Sequence, residues 1–394
     1  MNIAIIRNAD IHAPAPLGRA NILIVNDRIA AIGPHVELPP WAGDAADPVD
    51  VDAAGCLTTP GLMDAHVHIT GGGGEAGFHT QVPPLPLSVP VTGGVTTIGG
   101  LLGTDGITRH VDNVLAKACS LEEEGLSTFI MTGGYPLPSP TITGSVQRDF
   151  ACVHKVRGAK VAIADHRVAP VSAQQLAALA TDARVGGMLR GIVGMLIIHI
   201  GAAPEGLARI FEVVDSCPYL ARHLIATHIN RSPSVFEQAE ALARRGGYMD
   251  ISSGLNARTL GPDCLKPSTA IARALRDGVP AEHILMSSDG YGSAARYDDA
   301  GHVEGLVASD LHTLAAEFRD CVREEGIPLS TALLPVTGNV ARAFSLHPAK
   351  GELAPGSDAD ILIWNDDLRP QTLFARGRLM LRDGVPLVRG TFEN

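Results

Sequence analysis

Eight short apolar runs, each closed by a small or polar residue, recur through the middle of this 394-residue chain. They are LMDAHVH (62–68), GGVTTIGG (93–100), STFIMTGG (127–134), AKVAIAD (159–165), GMLIIHIG (194–201), HLIATHIN (223–230), YMDISSG (248–254) and HILMSSDG (283–290). A recurrence of about 25 to 36 residues is the length of one βα unit, a strand followed by its crossover helix. Segments 107–125 and 234–247, between runs, and 309–326, after the last, carry a helical apolar period and end at glycine. Eight such units close into an α/β fold, the TIM-like (β/α)8 barrel. A doubly wound open sheet is the alternative, but no G-x-G-x-x-G follows an early strand.

The chain ends read differently from the middle. NILIV (21–25) and RIAAIG (28–33) flank Asn26-Asp27, and GRLMLR (377–382) and VPLVRG (385–390) flank Asp383-Gly384. Both are hairpin signals, and ADILIWN (359–365) adds a further strand. Chain ends often lie close together. Residues 1–58 and 349–394 are therefore expected to form one small β-sandwich domain, leaving 59–348 to the barrel.

Charge narrows the partners. Against 42 Asp+Glu stand 31 Lys+Arg, a net charge of −11 with no basic run, which speaks against nucleic acid and anionic membrane. Arg7 and Asp10 interrupt the N-terminus where a secretory signal would be apolar. The longest apolar stretch, GMLIIHIGAAP, falls short of the roughly 20 residues that span a bilayer. Six scattered Cys without a C-x-x-C pair read as reduced thiols, so the expected compartment is the cytoplasm.

Barrels carry their chemistry at the C-terminal ends of the strands. The first run ends in His66-Val67-His68, the fifth carries His199, the sixth His228 and the eighth Asp289. Residues i and i+2 of a strand share a face, so His66 and His68 can grip one ion. Imidazole and carboxylate together suit zinc or a similar divalent ion. Directly after the first run, Gly71-Gly72-Gly73-Gly74-Glu75 lets backbone approach a ligand closely and ends in an acid, as a substrate loop would.

GLMDAHVHITGGGGEAGF (61–78) resembles the first-strand motif of the amidohydrolase superfamily, in the form used by the isoaspartyl (β-aspartyl) dipeptidases. The likeness extends through GLLGTDGITRH (100–110), TGGYPLPSPTITGSV (132–146), AKVAIADHR (159–167), THINR (227–231), SSDGYGS (287–293) and the tail from Gly351. It implies two zinc ions per chain, His66 and His68 binding one with Asp289, and His199 and His228 the other. It also implies that Lys160, carboxylated by CO2, bridges them. The apolar run itself starts the fourth strand beside Lys160, away from the strand tops; only the resemblance brings it to the metals.

The implied activity is hydrolysis of β-aspartyl dipeptides by metal-activated hydroxide, with Asp289 as acid/base and Tyr135 polarising the scissile carbonyl. Such a substrate carries one ammonium and two carboxylates, which Glu75, Arg167 and Arg231 complement. The resemblance adds Thr104 and Ser293 as carboxylate donors, and a homo-oligomer, an octamer in form. Two segments depart from the family pattern, around Thr80-Gln81-Val82-Pro83-Pro84 and at 256–267. The alternatives are another amidohydrolase, such as a D-aminoacylase or cyclic-amide hydrolase, and a metal-free scaffold homologue.

Overall fold

Each apolar run becomes a strand buried on both faces, as parallel strands covered by helices must be. The computed structural model describes residues 1–45, 47–261, 263–298 and 302–393. Its central sheet holds eight strands in chain order: Leu62–Val67, Val95–Gly100, Ser127–Gly133, Val156–Ile163, Met195–Ile200, Leu224–Thr227, Tyr248–Ser252 and Ile284–Ser287. Every neighbouring pair is parallel. The first and eighth strands close on each other through a Val67–Gly290 bridge and a His68 N–H to Gly290 carbonyl bond of 2.9 Å. The fold is a nearly closed TIM-type barrel.

The lower part of the barrel is apolar. Met63, Phe129, Met131, Ile197, Ile225 and Leu285 form one buried cluster with Val340, Ala341 and Phe344 from the segment around helix Gly338–Ala343. This plug leaves the upper ends of the same strands to polar residues: His199 follows Ile197, Thr227 follows Ile225 and Ser287 follows Leu285. Alternate residues of the fourth strand, Ala159, Val161 and Ile163, join the outer core against the helices.

The fourth strand is longer than its apolar run. It begins at Val156, so Lys160 is its fifth residue and is fully buried, not a strand-start residue away from the chemistry. Arg157, Gly158 and Lys160 break the hydrophobic signal that would mark those positions. Arg157 is held by the Phe344 and Ser345 carbonyls at 2.9 and 3.0 Å. The helix expected within 107–125 is also shorter, Val111–Glu123, because Asp105 accepts from the Ile107 and Thr108 N–H groups and holds that stretch in a turn. The other two helices are Pro233–Arg244 and Thr313–Arg323.

Both chain ends build one sheet of nine strands. The halves meet where Leu57–Pro60 pairs antiparallel with Ile361–Trp364. Leu57–Pro60 also pairs with Ile3–His12, which continues to Pro16–Val25 and Arg28–Gly33. The turn at Asp383-Gly384 has positive φ at both residues (52° and 74°), as a tight hairpin needs. The strand beyond it spans only Val385–Pro386. Segment 256–267 carries the short helix Ala257–Leu260; its Pro262 lies outside the described residues. Among the described residues no helix is long and apolar enough to cross a membrane.

Candidate active site

The upper rim is assembled by strand ends that turn sharply. His228 and Asp289 lie just past the sixth and eighth strands with φ of 64° and 54°, a left-handed backbone that non-glycine residues adopt at a cost. Below them, one oxygen of the fully buried Asp64 accepts from the His66 and Ser288 backbone N–H groups, both at 3.2 Å. Those bonds pin the histidine strand to the Asp289 strand. Burial pushes the Asp64 carboxyl up to about 7, and its second oxygen has no partner among the described residues.

The predicted ligands converge. Donor atoms of His66, His228 and Asp289 all lie within 4.8 Å of one another. Ring centroids are 4.9 Å apart for His66 and His228, 4.7 Å for His199 and His228, and 5.7 Å for His66 and His68. Asp289 Oδ1 lies 3.1 Å from His68 Nε2 and 3.4 Å from His66 Nε2. Lys160 Nζ lies 2.7 Å from His66 Nε2. All six residues named from the sequence therefore share one cluster.

Burial sets their charges. It pushes His199 down to about 3, and holds His66 and His228 well below the usual imidazole value, so these rings are neutral near pH 7. It lowers the Lys160 ammonium to about 7, against the pull of Asp289 and Asp250. Burial opposes ionisation of Asp289, but the facing His228 and His68 outweigh it and hold the carboxyl below its usual range. Neutral imidazoles, a carboxylate and a lysine that can lose its proton near neutrality form a donor set that fits divalent cations.

A second layer orients these ligands. His228 Nδ1 meets Ser252 Oγ at 2.7 Å, and His66 Nδ1 meets Thr227 Oγ1 at 3.3 Å. Thr227 and Ser287 both donate to Asp250, at 2.7 and 2.8 Å. His199 sits between Tyr135 OH, 2.9 Å from Nδ1, and Asp165 Oδ2, 2.9 Å from Nε2. Sequence reading missed Asp165, Asp250 and Ser252. Asp165 closes the fourth apolar run and Ser252 ends the seventh strand, so the strand-end rule that found the histidines also points to these two, while Asp250 lies mid-strand.

Of the residues expected to bind substrate, Arg167 touches this cluster directly, its Nη2 3.4 Å from His199 Nε2. Arg167 forks onto Asp165 and reaches Glu75, Nη1 to Oε1 at 3.4 Å; its guanidinium lies 5.0 Å from the Tyr135 ring centroid. Arg231 is half-buried and its Nε is wholly buried with no partner among the described residues; Thr104 Oγ1 is in the same condition. Burial lowers the Arg231 pKa, against the opposing charge of the Asp165 carboxylate. Thr104 and Glu75 line one cleft of about 240 Å³ with Phe78 and Ile107. Ser293 packs beside Gly73, where any Cβ would come within 3.3 Å of it. His166 points outward, its side chain 88% exposed.

The glycine-rich loop is firmly tied. Arg109, unremarked in the sequence, donates to the Gly71, Gly72 and Val82 carbonyls at 2.6, 2.7 and 2.9 Å. Gly71 and Gly73 have φ near +80°, and a Cβ on Gly71 would collide with the Val82 carbonyl. The altered segment Thr80-Gln81-Val82 thus serves as the loop's opposite wall, Gly73 bridging Gln81.

Comparison with known proteins adds to this picture. Residues 144–387 match the model of the amidohydrolase family. A solved β-aspartyl dipeptidase from Fervidobacterium islandicum AW-1, in complex with the β-Asp-Leu dipeptide, is similar in structure. Its TM-score is 0.87 at 37% identity, covering 98% of each chain. The L-hydantoinase of Arthrobacter aurescens shares the fold, with a TM-score of 0.69 at 18% identity over 99% of this chain and 98% of that one. The imidazolonepropionase of Paracoccus denitrificans is 26% identical over 361 residues, 87% of each chain.

Proposed function

The chain belongs to the amidohydrolase family, and on that premise we propose that it hydrolyses the side-chain amide of β-aspartyl dipeptides, releasing aspartate and an amino acid. One observation carries the reading. Two arginines and one glutamate, Arg167, Arg231 and Glu75, lie about the ligand cluster, and the buried Nε of Arg231 has no partner among the described residues. That charge pattern complements a ligand with two carboxylates and one ammonium. An unpaired buried donor is costly unless a ligand satisfies it.

His66, His68, His199, His228, Asp289 and a CO2-carboxylated Lys160 would hold two zinc or similar ions. When bound, such ions supply Lewis acidity, acidifying water toward neutrality and polarising an amide carbonyl. Asp289, ionised and facing the imidazoles, accepts a proton from the attacking water and delivers it to the leaving amine. Tyr135 stays protonated because burial raises its phenol, so it can donate to the developing oxyanion. Glu75 takes the α-ammonium. Arg231, Arg167, Thr104 and Ser293 take the carboxylates and fix which carbonyl is presented.

The fold shared with hydantoinases and the imidazolonepropionase match favour a second reading, a cyclic-amide hydrolase. A substrate panel separates the two. The proposal expects turnover of β-Asp-Leu far above that of α-Asp-Leu, hydantoin and imidazolonepropionate. Preferential opening of either ring would replace it.

A further inference from the structure

Among the described residues, the Asp165 side chain bonds both a predicted metal ligand and a predicted substrate cation. Oδ1 accepts from the Arg167 backbone N–H and Nε, each at 2.9 Å; Oδ2 accepts from Nη2 at 2.7 Å and meets His199 Nε2 at 2.9 Å. Local structure enforces this. Ala164, immediately before it, sits at φ 54°, strained for alanine. The loops after the fourth and fifth strands are laced together by Gly201 N–H to Ile163 carbonyl and Ala203 N–H to Ala164 carbonyl bonds, both 2.9 Å.

Two consequences follow from donor and acceptor chemistry. An ionised carboxylate can only accept, so His199 Nε2 carries the ring hydrogen and Nδ1 presents its lone pair. The Nε–Nη2 edge of Arg167 is committed to Asp165. This leaves Nη1, which reaches Glu75 at a long 3.4 Å, as the nitrogen not held by Asp165 and open to exchange that contact for a ligand carboxylate.

We propose that Asp165 is a positioning residue that sets the donor nitrogen of His199 and Nη1 of Arg167 together, coupling metal binding to carboxylate recognition. The carboxylate half of this inference rests on the dipeptidase reading; the metal half does not. Coupling of this kind is reciprocal, since each ligand stabilises the same side-chain arrangement. Asparagine at this position offers one acceptor oxygen and turns an NH2 group toward the guanidinium, so it cannot serve all four donors.

The test uses zinc-loaded wild type, Asp165→Asn and Asp165→Glu, the last keeping a charge for Arg167 should the first not fold. Competition with a chelator reads zinc affinity, expected to weaken about 10- to 100-fold in either variant, as outer-shell losses do. The ratio of kcat/KM for β-Asp-Leu to that for its C-terminal amide reads carboxylate recognition, expected to fall roughly 10-fold, the size of one charged hydrogen bond. Folded variants with both readouts within about 2-fold of wild type overturn the proposal, and movement of one alone overturns the coupling. Should wild type leave β-Asp-Leu intact, the dipeptidase reading fails by itself. Unchanged zinc affinity would then still overturn the role of Asp165.

Discussion

Lys160 Nζ and His66 Nε2, on non-adjacent barrel strands, lie 2.7 Å apart at the floor of the site. An amine this deep in the barrel is lowered from 10.5 to about 7 by burial, so it can be neutral, and open to CO2, under ordinary conditions.

That shift has a signed effect on stability in chelator-treated protein. Below pH 7 both folded and unfolded chains hold the lysine proton, and the full cost of burying the ammonium is present. Between about 7 and 10.5 only the unfolded chain holds it, so the cost fades and stability rises with pH. Denaturant midpoints of wild type minus Lys160→Met, from pH 6.5 to 9.5, are expected to climb. A flat difference would mean that Lys160 is solvated in the folded chain.

The buried Nε of Arg231 has no partner among the described residues. Arg231→Met is expected to lower kcat/KM for β-Asp-Leu about 10- to 100-fold, the loss of a charged hydrogen bond. Its thermal midpoint should equal or exceed that of wild type, because that nitrogen has no bond to lose among the described residues. A change under 2-fold in kcat/KM would remove Arg231 from the substrate site.

Arg109 ties three carbonyls of the loop that presents Glu75. Arg109→Ala should raise KM for β-Asp-Leu several-fold while leaving bound zinc unchanged, since none of the six proposed ligands lies on the loop. Loss of zinc along with activity would show instead that the loop supports the metal cluster.

The terminal sheet has its own buried pairing, Lys350 Nζ with Asp358 at 2.6 Å and Asp360 at 2.5 Å. Lys350→Met leaves the Asp360 carboxylate, among the described residues, with the Arg376 backbone N–H alone, while Asp358 retains Arg28. Breaking a buried pair costs about 3–5 kcal/mol. Urea unfolding should report that loss, with kcat for β-Asp-Leu unchanged under native conditions.

Much of this is legible in the sequence. A parallel barrel strand is buried on both faces, so each announces itself as a continuous apolar run, and the histidines and Asp289 stand out as polar residues closing those runs. Lys160 was not legible from pattern, because Arg157 and Gly158 hide the first half of its strand. Arg157 is half-buried there, held by carbonyls nearly two hundred residues away. The bonds that orient the ligands, such as Asp165 to His199 and Ser252 to His228, join different strands and leave no trace in local periodicity. The meeting of Leu57–Pro60 with Ile361–Trp364 is equally non-local; only the turn signals hinted that the chain ends belong together.

Release of free aspartate from β-Asp-Leu tests the central claim most directly, measured on zinc-replete protein, on the same protein after chelation, and on zinc-replete Asp289→Asn. The account predicts rapid release by the first, none by the second until zinc is restored, and a loss of several orders of magnitude in the third with most of its zinc retained. Release that persists through chelation, or an Asp289→Asn variant nearly as fast as wild type, would contradict it.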